Sequence, residues 1–277
     1  MDVFSADWLG ICRRAVAAQR QLFAATPSSA ARTIYEGIGV GGDRTLEIDR
    51  KCEDIVFAEL EQLAAEGASF VAVSEERGEV SFGSGGEARV VIDPIAGSLN
   101  ARRTIPSHSL SIALASGNSM ADVEFGFIHD FGADEEFSAR RGEGGRLGTE
   151  PIAVAAEQEK LEVVGLESAE PEWSLPALEE MRGRVYRLRV VGSIAITASY
   201  VAAGRFDGML SLRSCRSVDA AAAQLIVREA GGAVAFGDLA LEQAPLDLET
   251  RYPIAAACGE TALQTLLAAQ RARVESS

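Results

Sequence analysis

Apolar residues recur at helical spacing at Trp8, Ile11, Cys12 and Val16, and again at Ile48, Cys52, Ile55, Val56, Leu60 and Leu63, the second run closing near Gly67. This spacing predicts two amphipathic helices ahead of any strand. The first strand is FVAVS, Phe70 to Ser74, which runs into Glu75 and Glu76; the next is RVVID, Arg89 to Asp93. Two buried strands thus deliver carboxylates at their C-terminal ends, where open sheets place their ligands. SLSIALAS (109–116), VEFGFIHD (123–130) and EEFSAR (135–140) are separated by Gly, Asn and Asp turns and predict an antiparallel meander. The Gly-rich run from Gly142 to Gly148 reads as a loop. Beyond it, strand RVYRLRVVGS leads into helix IAITASYVAAG, strand GMLSL into helix SVDAAAAQLIVREAGG, and strand PIAAAC into a last helix.

Strands and helices alternate, so the fold is a layered α/β (α+β) one. The acidic, proline-bearing stretch from Glu157 to Leu175 suggests a subdomain boundary. The expected division is an N-terminal α+β subdomain, residues 1–165, carrying Glu75 and Asp93, and a C-terminal α/β subdomain, residues 166–277, carrying Asp219.

At 277 residues and 47% hydrophobic, the chain can bury a large core. Its 41 acidic against 26 basic residues give a formal charge of -15, which repels nucleic acid and anionic membranes. An anionic ligand would need metal ions or particular arginines. Cys12, Cys52, Cys215 and Cys258 are scattered, with no zinc or disulfide pattern. No segment approaches a membrane span and no secretory leader opens the chain, so a cytoplasmic location is expected.

The candidate chemistry centres on VVIDPIAGSLNARRTIP, from Val90 to Pro106. A carboxylate at a strand end can hold a divalent cation, and N–H groups after a Gly-Ser turn, here Gly97 and Ser98, can receive phosphate. Asp49 and Asp219 each open a helix, where an Asp is ordinarily a cap. His108 and His129 lack an acidic partner nearby and read as structural, and Cys215 as a packing residue.

Taken in order, SEE at Ser74 to Glu76, DPIxGSxN at Asp93 to Asn100, Ile105-Pro106, VGS at Val191 to Ser193 and DxAAxxLIxxEAGG from Asp219 resemble the inositol monophosphatase and fructose-1,6-bisphosphatase superfamily, closest to its archaeal-type dual-specificity sugar phosphatases. The similarity runs from about Thr45 to Gly232. It implies a five-layered αβαβα sandwich and a Mg²⁺-dependent phosphomonoesterase acting on a small sugar phosphate. By position, Glu75, Asp93 and the Ile95 carbonyl would hold the first of two or three ions, and Asp93 and Asp219 the second. Asp49 and Ser98 would activate water with Glu75, while Ala96, Gly97, Ser98, Gly192 and Ser193 would line the substrate. A homodimer is the resemblance's expectation for assembly.

The chain departs from this pattern at Ala96, where the family motif DPIDG has a metal-binding Asp. Three explanations stand: a substitution that lets the site hold substrate without consuming it, favoured because every other signature residue is kept; a natural loss of activity; or compensation by another acid. Lewis-acid stabilisation contributes several kcal/mol, and each ~1.4 kcal/mol is tenfold in rate, so turnover is expected to fall by orders of magnitude and to return on Ala96→Asp. The resemblance also leaves open a non-catalytic sugar-phosphate binder; removal of a 3'-phosphate from adenosine bisphosphate fits less well, since the insertions of those relatives are missing. Val218 replaces the family's Trp, and the stretch Ser211, Leu212, Arg213 lacks the acid of inositol-selective members. Arg189, Arg205 and Arg213 are the candidates for a second anionic group, which tilts the expected substrate toward a sugar bisphosphate.

Overall fold

The structure, a computed structural model, describes residues 1–38 and 44–274. In chain order the elements are α1 (Trp8–Ala25), α2 (Ser29–Arg32), β1 (Tyr35–Ile38), β2 (Arg44–Leu46), α3 (Glu47–Ala65), β3 (Phe70–Ser74), β4 (Gly78–Phe82), β5 (Arg89–Ala96), α4 (Ser98–Arg102) and β6 (Ser109–Ala115). They continue with β7 (Val123–Asp130), β8 (Glu135–Arg140), β9 (Gly144–Leu147), β10 (Glu150–Ile152), β11 (Leu161–Glu167), α5 (Pro171–Glu180), β12 (Val185–Arg189) and α6 (Ile194–Ala202). The last are β13 (Gly208–Ser211), α7 (Ser217–Glu229), β14 (Ala233–Ala235), β15 (Ala255–Ala257) and α8 (Glu260–Val274).

Among the described residues the strands form an eight-stranded sheet, in the order β10-β9-β8-β7-β6-β5-β3-β4, a five-stranded sheet, β12-β11-β13-β15-β14, and the small β1-β2 pair. Helices α1 and α3 cover one face of the larger sheet, α6 and α7 fill the space between the sheets, and α5 and α8 close the outer face of the smaller one. This is a five-layered αβαβα sandwich. Period-two alternation supplies both faces of the large sheet: Val90 and Ile92 point toward α1 and α3, Val91 toward α7. Trp8, Phe57, Phe70 and Phe125 are completely or almost completely buried in the first of these cores, each contributing about 2–3 kcal/mol.

The middle layer is thin because its residues are small. Ala220, Ala221, Ala222 and Ala223 let α7 lie close on the sheet, and a Cβ at Gly126 of β7 would come within 2.8 Å of the Ala222 carbonyl oxygen. The same closeness corrects one sequence expectation. The Gly-rich run is not simply a loop: Gly144–Leu147 is β9, paired with both β8 and β10. A Cβ at Gly145 would lie 3.3 Å from the Ile226 carbonyl of α7, so that glycine serves a strand under a helix. The sequence reading also placed no strand at β1, β2, β10 or β14, three- and four-residue strands too short to show a period, nor at β4 or the seven-residue β11. The second sheet begins at Leu161, within the acidic stretch read as a boundary.

Candidate active site

Strand pairing brings the first two carboxylates together. β3 and β5 are parallel neighbours with Ser74 opposite Ile92, so Glu75 and Asp93 follow side by side at the C-terminal ends. Pro94, which cannot donate to the ladder, coincides with a break in the β5–β6 register between Asp93 and Ala96. Asp93 is 3% exposed, and its Oδ1 accepts the Ile95 N–H at 3.1 Å, folding the turn back on the carboxylate. Gly97 then takes φ +88°; a Cβ there would approach the Ser107 carbonyl oxygen to 2.9 Å, so glycine is required on both conformational and steric grounds.

Asp49, Glu75, Glu76, Asp93, Ile95 and Ser98 surround a cavity of about 110 Å³. Beside it, Gly97, Asn100, Glu167, Gly192, Ser193 and Asp219 line a wider one of about 490 Å³. The two loops that meet here are tied by Asn100, whose Nδ2 donates to the Ser107 and Val191 carbonyls at 2.8 Å each. Ala96, expected to line the substrate, lines neither cavity: it is 4% exposed and packed in the apolar cluster of the middle layer, while its neighbours Ile95 and Gly97 line one cavity each. Arg189 and Arg213 are exposed and line neither cavity; Arg205 pairs with Glu135 at 2.5 Å on the surface.

Both helix-opening aspartates do act as caps. Asp49 Oδ2 accepts the Leu46 N–H at 3.3 Å and Asp219 Oδ2 the Arg216 N–H at 2.8 Å. Capping uses one oxygen of each; Asp49 Oδ1 is buried with no hydrogen-bond partner among the described residues. The carboxylates also oppose one another. Burial, then Asp219 and Glu75, push Asp93 well above the ordinary carboxylate range; burial, then Glu75, push Asp219 up to about 6; burial, then Glu76, push Asp49 up to about 7.

Among the described residues no three His, Cys, Asp or Glu side chains converge into a ready-made metal cage. Mg²⁺ does not need one, since it takes one or two carboxylates and fills its octahedron with water and substrate oxygens. Glu75, Asp93 and the Ile95 carbonyl are such a hard-oxygen set, and the orphaned Asp49 oxygen and the mutual repulsion of the acids fit a cation among them.

Three buried residues that the sequence did not single out hold this site. Glu53, fully buried, accepts from the Ser74 hydroxyl and from the N–H groups of Glu76 and Arg77 at 3.3 and 3.2 Å, which fixes the backbone on both sides of Glu75. It stands four residues after Asp49, on the same helix face, which was its signal. Glu167 accepts from the Gly192 N–H at 2.9 Å and the Thr197 hydroxyl at 2.6 Å, fixing the second loop. Arg216, 5% exposed, donates from Nη1 to Glu75 Oε1 at 2.5 Å. His129 lines neither cavity; its Nε2 lies 3.2 Å from Arg20 Nη2 and 3.6 Å from Asp134 Oδ1, an acid the sequence reading did not expect beside it, and burial and then Arg20 lower its pKa to about 4.

Residues 18–276 match the inositol monophosphatase family. A fructose-1,6-bisphosphatase/inositol-1-monophosphatase of Thermococcus kodakarensis is 34% identical over 244 residues, covering 85% of this chain and 86% of that protein. Among solved structures, the MJ0109 gene product, an inositol monophosphatase-fructose 1,6 bisphosphatase, superposes with a TM-score of 0.82 at 24% identity over 95% of this chain and all of that one. The extragenic suppressor protein suhB of Bartonella henselae gives a TM-score of 0.77 at 27% identity, covering 97% and 98%. The chain therefore belongs to the inositol monophosphatase family.

Proposed function

We propose that this chain is a phosphomonoesterase for a small sugar phosphate of the fructose-1,6-bisphosphate or inositol-1-phosphate type, working with Mg²⁺ and at reduced turnover because of Ala96. The observation that carries this reading is the pairing of β3 with β5, which sets Glu75 and Asp93 side by side at a cavity that also contains Asp49 and Ser98. Glu75, Asp93 and the Ile95 carbonyl would hold the ion, which when bound supplies Lewis-acid stabilisation and lowers the pKa of water. The backbone N–H groups of Gly97 and Ser98 receive the phosphate. As the oxygen of the attacking water bonds to phosphorus its proton passes through the Ser98 hydroxyl, which gives up its own, to the Asp49 carboxylate; the ester P–O bond breaks in line, and the sugar oxygen leaves with a proton from solvent. No covalent intermediate forms, and the buried cysteines take no part.

Ala96 supports a second reading, a binder of sugar phosphates that does not hydrolyse them. Release of inorganic phosphate from fructose-1,6-bisphosphate and inositol-1-phosphate, with Mg²⁺ and with a chelator, separates the two. The phosphatase reading expects release that requires Mg²⁺ and falls at least 100-fold in Asp93→Asn. Binding of the same sugar phosphates with no release under any condition establishes the binder instead.

A further inference from the structure

Behind the turn that carries Asp93 and the Ile95 carbonyl stands a fully buried amide, Gln19 of α1, at 0% exposure. Glutamine is mostly a surface residue, and burying its amide is costly unless hydrogen bonds compensate. Its Nε2 donates to two main-chain carbonyls, that of Cys52 in α3 and that of Pro94 in β5, at 3.2 Å each. Both partners can only accept, so the amide must face them with its N–H₂ end. Its Oε1 is buried with no hydrogen-bond partner among the described residues; the side chain carries an unmet acceptor in order to make these two bonds.

Pro94 lies where the sheet stops supporting its own strand. On one side β3 pairs with β5 as far as Ser74 opposite Ile92, and on the other the β6 register lapses between Asp93 and Ala96. The strand therefore leaves the ladder just where Asp93 and Ile95 line the narrow cavity. Within the turn Asp93 Oδ1 takes the Ile95 N–H; from outside, Gln19 takes the Pro94 carbonyl. The second bond of the amide reaches α3 three residues after Asp49, which lines the same cavity. One side chain of α1 thus ties the strand that bears Asp93 to the helix that bears Asp49. A carboxylate in its place could donate nothing and would add a negative charge to those of Asp49, Glu75, Glu76 and Asp93.

We propose that Gln19 is a positioning residue of the ion site: by holding the Pro94 carbonyl against α3 it aims Asp93 and the Ile95 carbonyl at the divalent cation and fixes their spacing from Asp49. Gln19 lines neither cavity, so it acts through the turn and not by touching ion or substrate. This rests on the reading of Glu75, Asp93 and the Ile95 carbonyl as an Mg²⁺ set. Groups that orient metal ligands from behind typically govern affinity by about 10- to 100-fold.

Mn²⁺ titrated calorimetrically into the full chain without substrate reads this directly. Gln19→Met, which keeps the length of the side chain and removes its donors, should weaken Mn²⁺ binding at least about tenfold. Gln19→Asn keeps the amide but withdraws it by one methylene, and should weaken binding by about threefold or more. Val16→Ala, on the same helix and buried in the core between α1, α3 and the sheet, should lower the denaturant midpoint and leave Mn²⁺ affinity unchanged. A Gln19 that served the fold alone would behave as Val16 does. Mn²⁺ affinity indifferent to both Gln19 variants overturns the proposal, and so does an equal loss in Val16→Ala; where Gln19→Met does not fold, Gln19→Asn decides. An unaltered chain that binds no Mn²⁺ removes the ion reading together with this proposal, whereas failure to release phosphate from any substrate removes the phosphatase reading and leaves the Mn²⁺ affinities standing.

Discussion

Asp49→Asn should make the protein more stable and inactive at once. The Asp49 carboxyl is 8% exposed, and burial followed by Glu76 raises its pKa from 3.8 to about 7. A group whose pKa is raised by folding holds its proton more tightly in the folded chain, so its contribution is full below pH 3.8 and is lost as pH rises toward 7. At 1.36 kcal/mol per pH unit, ionising this group costs the fold about 4 kcal/mol at pH 7 and about 1.5 kcal/mol at pH 5. Asn keeps an oxygen for the Leu46 N–H, bonded at 3.3 Å, but places an amide N–H₂ where Asp49 Oδ1 has no partner among the described residues. That orphan costs about 1 kcal/mol or more. The net gain is about 2–3 kcal/mol at pH 7 and close to zero at pH 5. Urea unfolding in chelator at both pH values measures it, and phosphate release with Mg²⁺ should fall at least 100-fold, the contribution of a positioned base. A variant whose stability gain is the same at pH 5 and pH 7, or one that still hydrolyses substrate, would refute the argument.

Glu53→Ala removes the acceptor of three donors and should destabilise the fold by about 3–5 kcal/mol, whereas Glu53→Gln, which keeps one oxygen, should cost about 1–2 kcal/mol; denaturant midpoints check the order, and calorimetry should show weakened Mg²⁺ binding in both because Glu75 loses its support. His129 has its pKa lowered to about 4 by burial and by Arg20, so its contribution is present above pH 6.5 and is lost as pH falls toward 4. Between pH 7 and pH 4.5 the unaltered chain should therefore lose about 2.5 kcal/mol more unfolding free energy than His129→Gln, and equal losses would show that His129 does not titrate on unfolding.

The parts of the fold that were legible in the sequence are those in which one element carries its own periodicity. The helix containing Ile48 to Leu63, the strands ending at Ser74 and Asp93, and the DPIAGS turn could be placed because their residues specify local structure. The short strands could not, since β1, β2 and β14 exist only through their partners. Arg216 was hidden for a similar reason: its contact is with a residue 141 positions away, and in the sequence it is one arginine in SLRSCRSVD, where Arg213 drew attention instead. Its position three residues before Asp219, at a helix start, was the available hint. Glu167 gave none, because its partners Gly192 and Thr197 lie on a later loop and helix.

Gly126 gives the site an outer boundary that a search for chemical groups does not find. It lies on β7, where a Cβ would press against the Ala222 carbonyl, one helical turn along α7 from Asp219. Even alanine at 126 would have to lift α7 by some tenths of an ångström, and Asp219 and Arg216 travel with that helix. Active sites tolerate only about 0.5 Å of such error. The residue that gauges the gap between the two sides of the site is thus one with no side chain, and drift at position 126 would detune the chemistry while leaving every functional residue unchanged in the sequence.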